Sequence, residues 1–460
     1  MNTHLHRGFL LAILTATAAI SLVHAQEPPS VPAPKISTTP QPPNPSNVVR
    51  LTLQQALDLA RKNNPQFQSA LTDAGLARED RAQSRDQLLP SAAFNTSTII
   101  TQLNHNGVAF IANNGAHEYI SQGNVHEDLS VANFMAYRRT AALAAAAKAR
   151  AEIASRGLVV TVVQNYFGVT SAQFKLETAR RTAQEGEKFM QLTQSLEQGG
   201  EVAHSDVIKA ELQVQERRRQ LKEAELGLLN ARLDFAVLIF PDFNDNFEIA
   251  DDLHASVPLP TREEFEAQAA RENPDIRAAL STVQAAHDDV LAARAGYLPS
   301  VTVDYFYGID APNYATYSNF SPPVGRVSNL ASSAVASLTL PLWNWGSTQS
   351  KVRQAELKRD QAKRELSFSQ RKLLAEMRSL YAEAETALNE LSGLQRSAEL
   401  AADSLRLITL RYRGGEATVL EVVDAQTTFA QANANYQDGA LRYRTALANL
   451  QTLTGVLTAP

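Results

Sequence analysis

The sequence predicts a mainly α-helical chain with a small β part, built from two copies of one unit. Three observations carry that prediction. One stretch is far too long a helix for a globule, a set of motifs recurs at fixed distances, and four short segments alternate apolar with polar residues.

The long helix is the clearest. From Leu373 and Met377 through Ala384 and Ala398 to Leu405 and Ile408, apolar or small residues step by four and three without a break. That is a heptad seam. A second stripe, Leu374, Tyr381, Leu388 and Ala402, runs beside it, so the helix is expected to pack on two neighbours at once. No proline occurs from Leu342 to Ala459. A helix from Gly346 to Arg411 would be roughly 100 Å long at 1.5 Å per residue. Gly414-Gly415 then breaks it, and Glu416 to Leu453 runs back.

The repeat is held at four points. Asn64-Pro65 matches Asn273-Pro274 and Leu89-Pro90-Ser91 matches Leu298-Pro299-Ser300, both 209 residues apart. Gly199-Gly200-Glu201 matches Gly414-Gly415-Glu416 and Asp206-Val207 matches Glu421-Val422, both 215 apart. The six extra residues fall most simply in the Asn313–Ser328 loop. Such a spacing signals duplicated architecture. Each copy reads as a leading helix (Thr52 to Leu88; Thr261 to Tyr297), an outgoing strand, a loop, a return strand, a very long helix (Met135–Leu196; Gly346–Arg411), a glycine turn and a helix back. The assigned ranges are 48–241 and 261–455, with a connector at 242–260.

The strands follow each leucine-proline. Val301, Val303, Tyr305 and Tyr307 alternate with Thr302, Asp304 and Phe306, and Phe94, Thr96, Thr98 and Ile100 are the weaker counterpart. Return strands are expected near Ser121–Val131 and Ser332–Leu340. Gly123 and Glu127-Asp128 spoil the alternation of the first. The loops are placed at Asn104–Tyr119 and Gly308–Ser328.

Residues 1–25 read as a secretory leader: Arg7, an apolar run from Gly8 to Val23, and a small-residue ending at Ala25. The alternative, a membrane anchor, is disfavoured because that run is short for a span. Residues 26–47 hold eight of the twenty prolines and read as an extended linker. The absence of cysteine excludes disulfides, thiol catalysis and a lipid-bearing N-terminal cysteine. Net charge is −5 with no basic cluster, which argues against nucleic acid.

In an exported chain with no helical span, ten-residue alternating strands have the length and pattern of membrane-crossing strands. Trp343 and Trp345 at a strand-to-helix junction and Tyr297 at a helix-to-strand junction then fall on one membrane edge, where aromatic belts lie. A sheet in lipid must close, and four strands are too few. Three copies, giving twelve strands, meet that need. Soluble hairpins are the competing reading.

Several motifs together resemble the TolC-like outer membrane efflux proteins. They are the doubled unit, "LTLPLWNWG" at Leu338–Gly346, "GGEVAHSDVIKAE" at Gly199–Glu211 and "GGEATVLEVVDAQ" at Gly414–Gln426. The resemblance covers Leu51 to about Thr454. It implies a trimeric outer membrane β-barrel continuous with a long periplasmic α-helical barrel. The duct would dock on a periplasmic adaptor and an inner-membrane efflux transporter, and would use no cofactor. Glu421 and Asp424 align with the acidic pair of the family's "DVLDA" motif, and threefold symmetry would make each a carboxylate ring facing the pore. An ordinary solvated first helical turn is the alternative. Asp206 and Tyr412 match positions that close the family's tip. The arginine of that network falls at Ala417, so Arg411 or Arg413 is expected to substitute, or closure to differ. Lys209 stands where the second copy has Asp424, and is expected to temper or pair with its charge. Gly199, Gly200, Gly414 and Gly415 are the expected adaptor contacts.

No catalytic motif is present. His105, His117 and His126 cluster near the expected first loop, as solvated histidines more than a metal site. Export ducts of type I protein secretion share these features. A periplasmic adaptor would have one hairpin flanked by β-domains. A coiled-coil scaffold would leave the alternating segments unexplained.

Overall fold

The computed structural model describes residues 49–101, 117–241, 247–250, 253, 257–271, 273–319, 323 and 325–454. The expected leader, the proline-rich linker, His105 and most of the first loop lie outside them.

The first half opens with β1 (Val49–Leu51), α1 (Leu53–Asn63) and α2 (Pro65–Asp86), followed by β2 (Ser91–Ile100) and β3 (His117–Leu129). Then come α3 (Val131–Gln198), α4 (His204–Ile239) and β4 (Phe247–Ile249). The second half runs α5 (Arg262–Arg271), α6 (Pro274–Ala295), β5 (Ser300–Ala311), β6 (Tyr317–Asn319) and β7 (Arg326–Ser328). It ends with β8 (Leu330–Thr339), α7 (Ser347–Arg413) and α8 (Val419–Thr454).

Local chemistry sets the helix boundaries. The repeated Asn-Pro is a cap followed by a first-turn proline: Asn64 Oδ1 accepts from Phe67 N at 2.9 Å, and Asn273 Oδ1 from Ile276 N at 3.1 Å. α3 starts four residues before the expected Met135, because the Ser130 hydroxyl accepts from Asn133 N and fixes the first turn there. At 68 and 67 residues, α3 and α7 are each about 100 Å long.

β2, β3, β5 and β8 form one antiparallel sheet in that order. β3 is continuous despite Gly123 and Glu127-Asp128, since neighbours on both sides supply its ladder. The expected second loop is displaced: β5 runs through Gly308 to Ala311, and β6 pairs with β7 beyond it. Gly308 sits in the strand because a Cβ there would lie 2.3 Å from Ser121 O. Register places Val303, Tyr305 and Tyr307 on one face with Val125, Phe94 and Leu338. All six are exposed. Glu127, at the helix end, is the charged exception on that face. Asn95, Gln122, Asn124, His126 and Asp304 occupy the other face. β2 and β8 each leave one edge unpaired.

α3 is the axis of the helical part. Towards the sheet it packs on α2 and α6, and towards the glycine turns on α4 and α8; α7 packs on α6 and α8. The heptad seam of α7 is buried or half-buried throughout, whereas Leu374 and Leu388 of the second stripe are exposed. Midway along, β1, α1 and β4 pack on Leu158–Val169 of α3 and the end of α4. β1 pairs with β4 in parallel, so the expected connector contains a strand. The Tyr166 hydroxyl lies 2.8 Å from Ala250 O and 3.2 Å from Leu51 O, tying the three together. In the second half Phe265 of α5 packs on Met377, Ala384 and Leu450. Among the described residues no helix is long and apolar enough to cross a membrane.

Candidate functional site at the glycine-turn end

Both helical hairpins reverse through the same backbone motif. Glu201 N donates to Leu196 O at 2.9 Å and Gly200 N to Glu197 O at 2.8 Å. In the second hairpin Glu416 N donates to Arg411 O at 2.9 Å and Gly415 N to Tyr412 O at 3.1 Å. This nested pair is the Schellman arrangement, which requires a left-handed residue at its centre. Gly200 (φ +76°) and Gly415 (φ +77°) supply it. Gly199 and Gly414 have ordinary right-handed helical angles. Of the four glycines, only the second in each pair is there for its backbone.

Tyr412 is 3% exposed. Its ring lies 5.0 Å from that of Phe189, and its hydroxyl is 3.1 Å from Thr193 Oγ1. It therefore joins α7 to α3, beside Ala210, Val419 and Val422. Burial pushes its phenol above the ordinary value, the Thr193 bond opposes this, and the charge of Asp206 adds to it. Asp206 and Tyr412 are thus electrostatic neighbours, while Lys209 Nζ bonds Asp206 at 3.3 Å. Within the chain Lys209 is thus engaged by Asp206, one turn before it on the same helix.

Glu421 is committed locally. Its Oε1 accepts from the Thr418 N–H and the Thr418 hydroxyl, both at 3.1 Å, and Glu421 N donates back to Thr418 Oγ1 at 3.3 Å. That is a capping box at the start of α8. These bonds, with the more distant Arg411 charge, hold the carboxyl below the ordinary glutamate range. Arg411 approaches Glu421 at 3.7 Å and donates to Glu416 O at 2.9 Å. Ala417 packs against the apolar cluster at this end, and Arg411 is the arginine that pairs with Glu421. Asp424 is exposed and makes no ion pair among the described residues.

Three contributors were not legible in sequence. Thr193 and Phe189 meet Tyr412 from more than two hundred residues away. Arg217 is 2% exposed, with Nη2 3.1 Å from Thr427 Oγ1 of α8 and Nη1 2.8 Å from Gln220 Oε1. Burial lowers its pKa by desolvation, and the charge of Glu216 opposes this.

At the other end of the helices, Trp343 and Trp345 stack edge to face at 5.8 Å and both are exposed, Trp345 at 89%. Trp345 (φ 56°) and Gly346 (φ 81°) are consecutive left-handed residues that turn the chain into α7. Tyr297 is exposed at the corresponding junction. The histidine cluster does not form: His117 opens β3 and His126 lies nine residues along it, about 30 Å away at strand rise. His126 Nδ1 instead lies 2.8 Å from Asp304 Oδ1 on the neighbouring strand. No group able to hold a metal is found among the described residues.

The profile described as outer membrane efflux protein matches residues 56–239 and 267–456. The alkaline protease secretion protein AprF of Pseudomonas aeruginosa is 25% identical, over 88% of this chain and 85% of its own. The outer membrane protein TolC of Vibrio cholerae is 24% identical, over 88% and 91%. The solved structure of the outer membrane protein VceC from Vibrio cholerae superposes with a TM-score of 0.75 at 18% identity, covering 88% of this chain and 96% of that one.

Proposed function

The chain belongs to the outer membrane efflux protein family, and on that premise we propose that it is the exit duct of a tripartite efflux system, working as a homotrimer. Members of the family are passive outer membrane channels rather than enzymes. Three copies close their four-stranded sheets into a twelve-stranded barrel in lipid, and the long helices continue it as a periplasmic tunnel. A periplasmic adaptor engages the two glycine turns, and an inner-membrane transporter supplies the energy.

One observation carries the reading: a four-stranded sheet with an apolar outer face and two unpaired edges, joined directly to helices about 100 Å long. Unpaired edges in hydrocarbon are untenable, so the sheet needs further copies. The exposed junction tryptophans suit the membrane interface. The test is the mass of the protein extracted by detergent from outer membranes. A trimer is expected, and a soluble monomer would end the channel reading.

At the narrow end, Asp424 is the better candidate for a cation-attracting ring, because Glu421 is occupied in capping its own helix. Asp424→Asn should relieve block by multivalent cations in single-channel recordings. An unchanged block would remove the ring.

A second reading, protein secretion, is favoured by the similarity to AprF. Complementation separates the two. In a host lacking its own ducts, the chain should restore drug resistance with an efflux pump, or protease export with a secretion transporter.

A further inference from the structure

The two free edges of the sheet determine which helices meet when copies assemble. α2 leads into edge strand β2, and α7 follows edge strand β8. β2 runs away from the helices and β8 runs back towards them. Laying β8 of one copy on β2 of the next therefore makes an antiparallel pair, as in the rest of the sheet. It also sets α7 beside the next copy's α2, again antiparallel.

The faces so brought together are complementary. On α7, Ala355 and Ala362 are buried against its own neighbours, whereas Arg353 and Leu357 project from the opposite side. On α2, Phe67, Ala70, Ala74 and Ala77 turn towards α3, whereas Leu76, Glu79 and Asp80 project outward. Leu76 is 60% and Leu357 62% exposed. Arg353, Glu79 and Asp80 are exposed and make no ion pair among the described residues. The heights agree as well. Asp80 lies six residues before the end of α2 at Asp86, and Arg353 six after the start of α7 at Ser347. Leu76 and Leu357 are each ten residues from the same two ends.

We infer that α7 of one copy packs on α2 of the next, with Arg353 against Glu79 and Asp80, and Leu357 against Leu76. The inference rests on the trimeric reading and adds the register of the seam and the charges that set it. Such rim charges contribute more to register and partner choice than to affinity, while the leucine pair buries apolar surface.

The natural chain has no cysteine, so Leu76→Cys with Leu357→Cys in the full chain introduces its only thiols. A disulfide needs Cα atoms within about 7 Å. In mildly oxidised outer membrane vesicles the double variant should run at three chain masses on a non-reducing gel and return to one on reduction. Either single variant should stay at one. If the double variant is a trimer by mass in detergent but fails to cross-link, the inference falls and the trimer stands. If the wild-type protein is a monomer, both fall. Should the cysteine variant not assemble, charge reversal is the second measurement. Arg353→Glu alone, and Glu79→Arg with Asp80→Arg, should each reduce the trimer fraction, and the three changes together should restore most of it. Unchanged trimer in both partial reversals would overturn the inference.

Discussion

The two glycine turns share a backbone and differ in almost everything attached to it. Superposed at the 215-residue offset, Gly200 falls on Gly415, and both helices end in the same nested hydrogen bonds. Around that frame, Tyr412 takes the place of Glu197, Thr418 of Ala203, Glu421 of Asp206 and Asp424 of Lys209. In the first turn Glu197 reaches His204 at 2.7 Å across the surface, and α4 begins without a side-chain cap. In the second, the tyrosine is buried against α3 and the helix start is boxed. Glycine preserves the reversal, which leaves the flanking positions free to specialise. The second turn became the one that grips the other hairpin.

If that asymmetry is real, matched substitutions should have unequal effects. Local stability is best read from hydrogen exchange of the turn peptides, since global melting of a chain this long is not expected to be two-state. The largest difference is expected at Tyr412 and Glu197. Tyr412→Ala removes a buried ring from Phe189 and should cost about 3–5 kcal/mol, whereas Glu197→Ala at the surface should stay within about 0.5 kcal/mol. Tyr412→Phe, which loses only the Thr193 bond, should cost about 1 kcal/mol. Equal effects at the two positions would break the comparison.

The glycines should behave alike across turns and unlike within them. Gly200→Ala and Gly415→Ala force a left-handed residue with a Cβ, at about 1–2 kcal/mol. Gly199→Ala and Gly414→Ala, in right-handed angles, should cost little. Next comes the cap. Thr418→Ala should lose about 1 kcal/mol from the start of α8. Ala203→Thr should gain a smaller amount at the start of α4, its hydroxyl oxygen accepting from a first-turn N–H that now has no side-chain cap.

Much of this was legible in the residues. The seam from Leu373 to Ile408 is read from spacing because burial in a long helix follows 3.6-residue periodicity, and the exposed Leu374 and Leu388 belong to the stripe assigned to a second neighbour. The glycine turns were legible because few sequences tolerate left-handed backbone. β1 and β4 were not, since three residues are too few to show alternation and their pairing spans almost two hundred positions. Tyr412 was marked by position alone. What it does depends on Phe189 and Thr193, which no local pattern connects to it. The same holds for the His126–Asp304 pair, made by strand register, and for Arg217, whose burial against α3 and α8 a helix-surface pattern hides. The resemblance makes Glu421 and Asp424 each a ring member, and the first-turn position of Glu421 leaves a solvated helix start as the alternative. Thr418, three residues before Glu421, was the available sign that one of them would be used as a cap.

The smallest effect expected is one of pH, and it tests that last distinction. Glu421 is held below its ordinary value near 4.5, first by the Thr418 backbone N–H, then by the Thr418 hydroxyl and more weakly by Arg411. The folded carboxyl therefore binds its proton less readily than the unfolded one, so protonation favours opening of the turn. Its stabilisation is complete above the unfolded value and is lost as pH falls through the lower folded value. Exchange at the first amides of α8 should accelerate below about pH 4.5 in the wild-type chain, beyond the intrinsic change for an unstructured peptide. In Glu421→Gln that extra acceleration should disappear, because no proton is taken up there. Asp424→Asn should leave it intact. A wild-type response that persists in Glu421→Gln would mean that another group carries the titration and that the capping box is not what holds this turn.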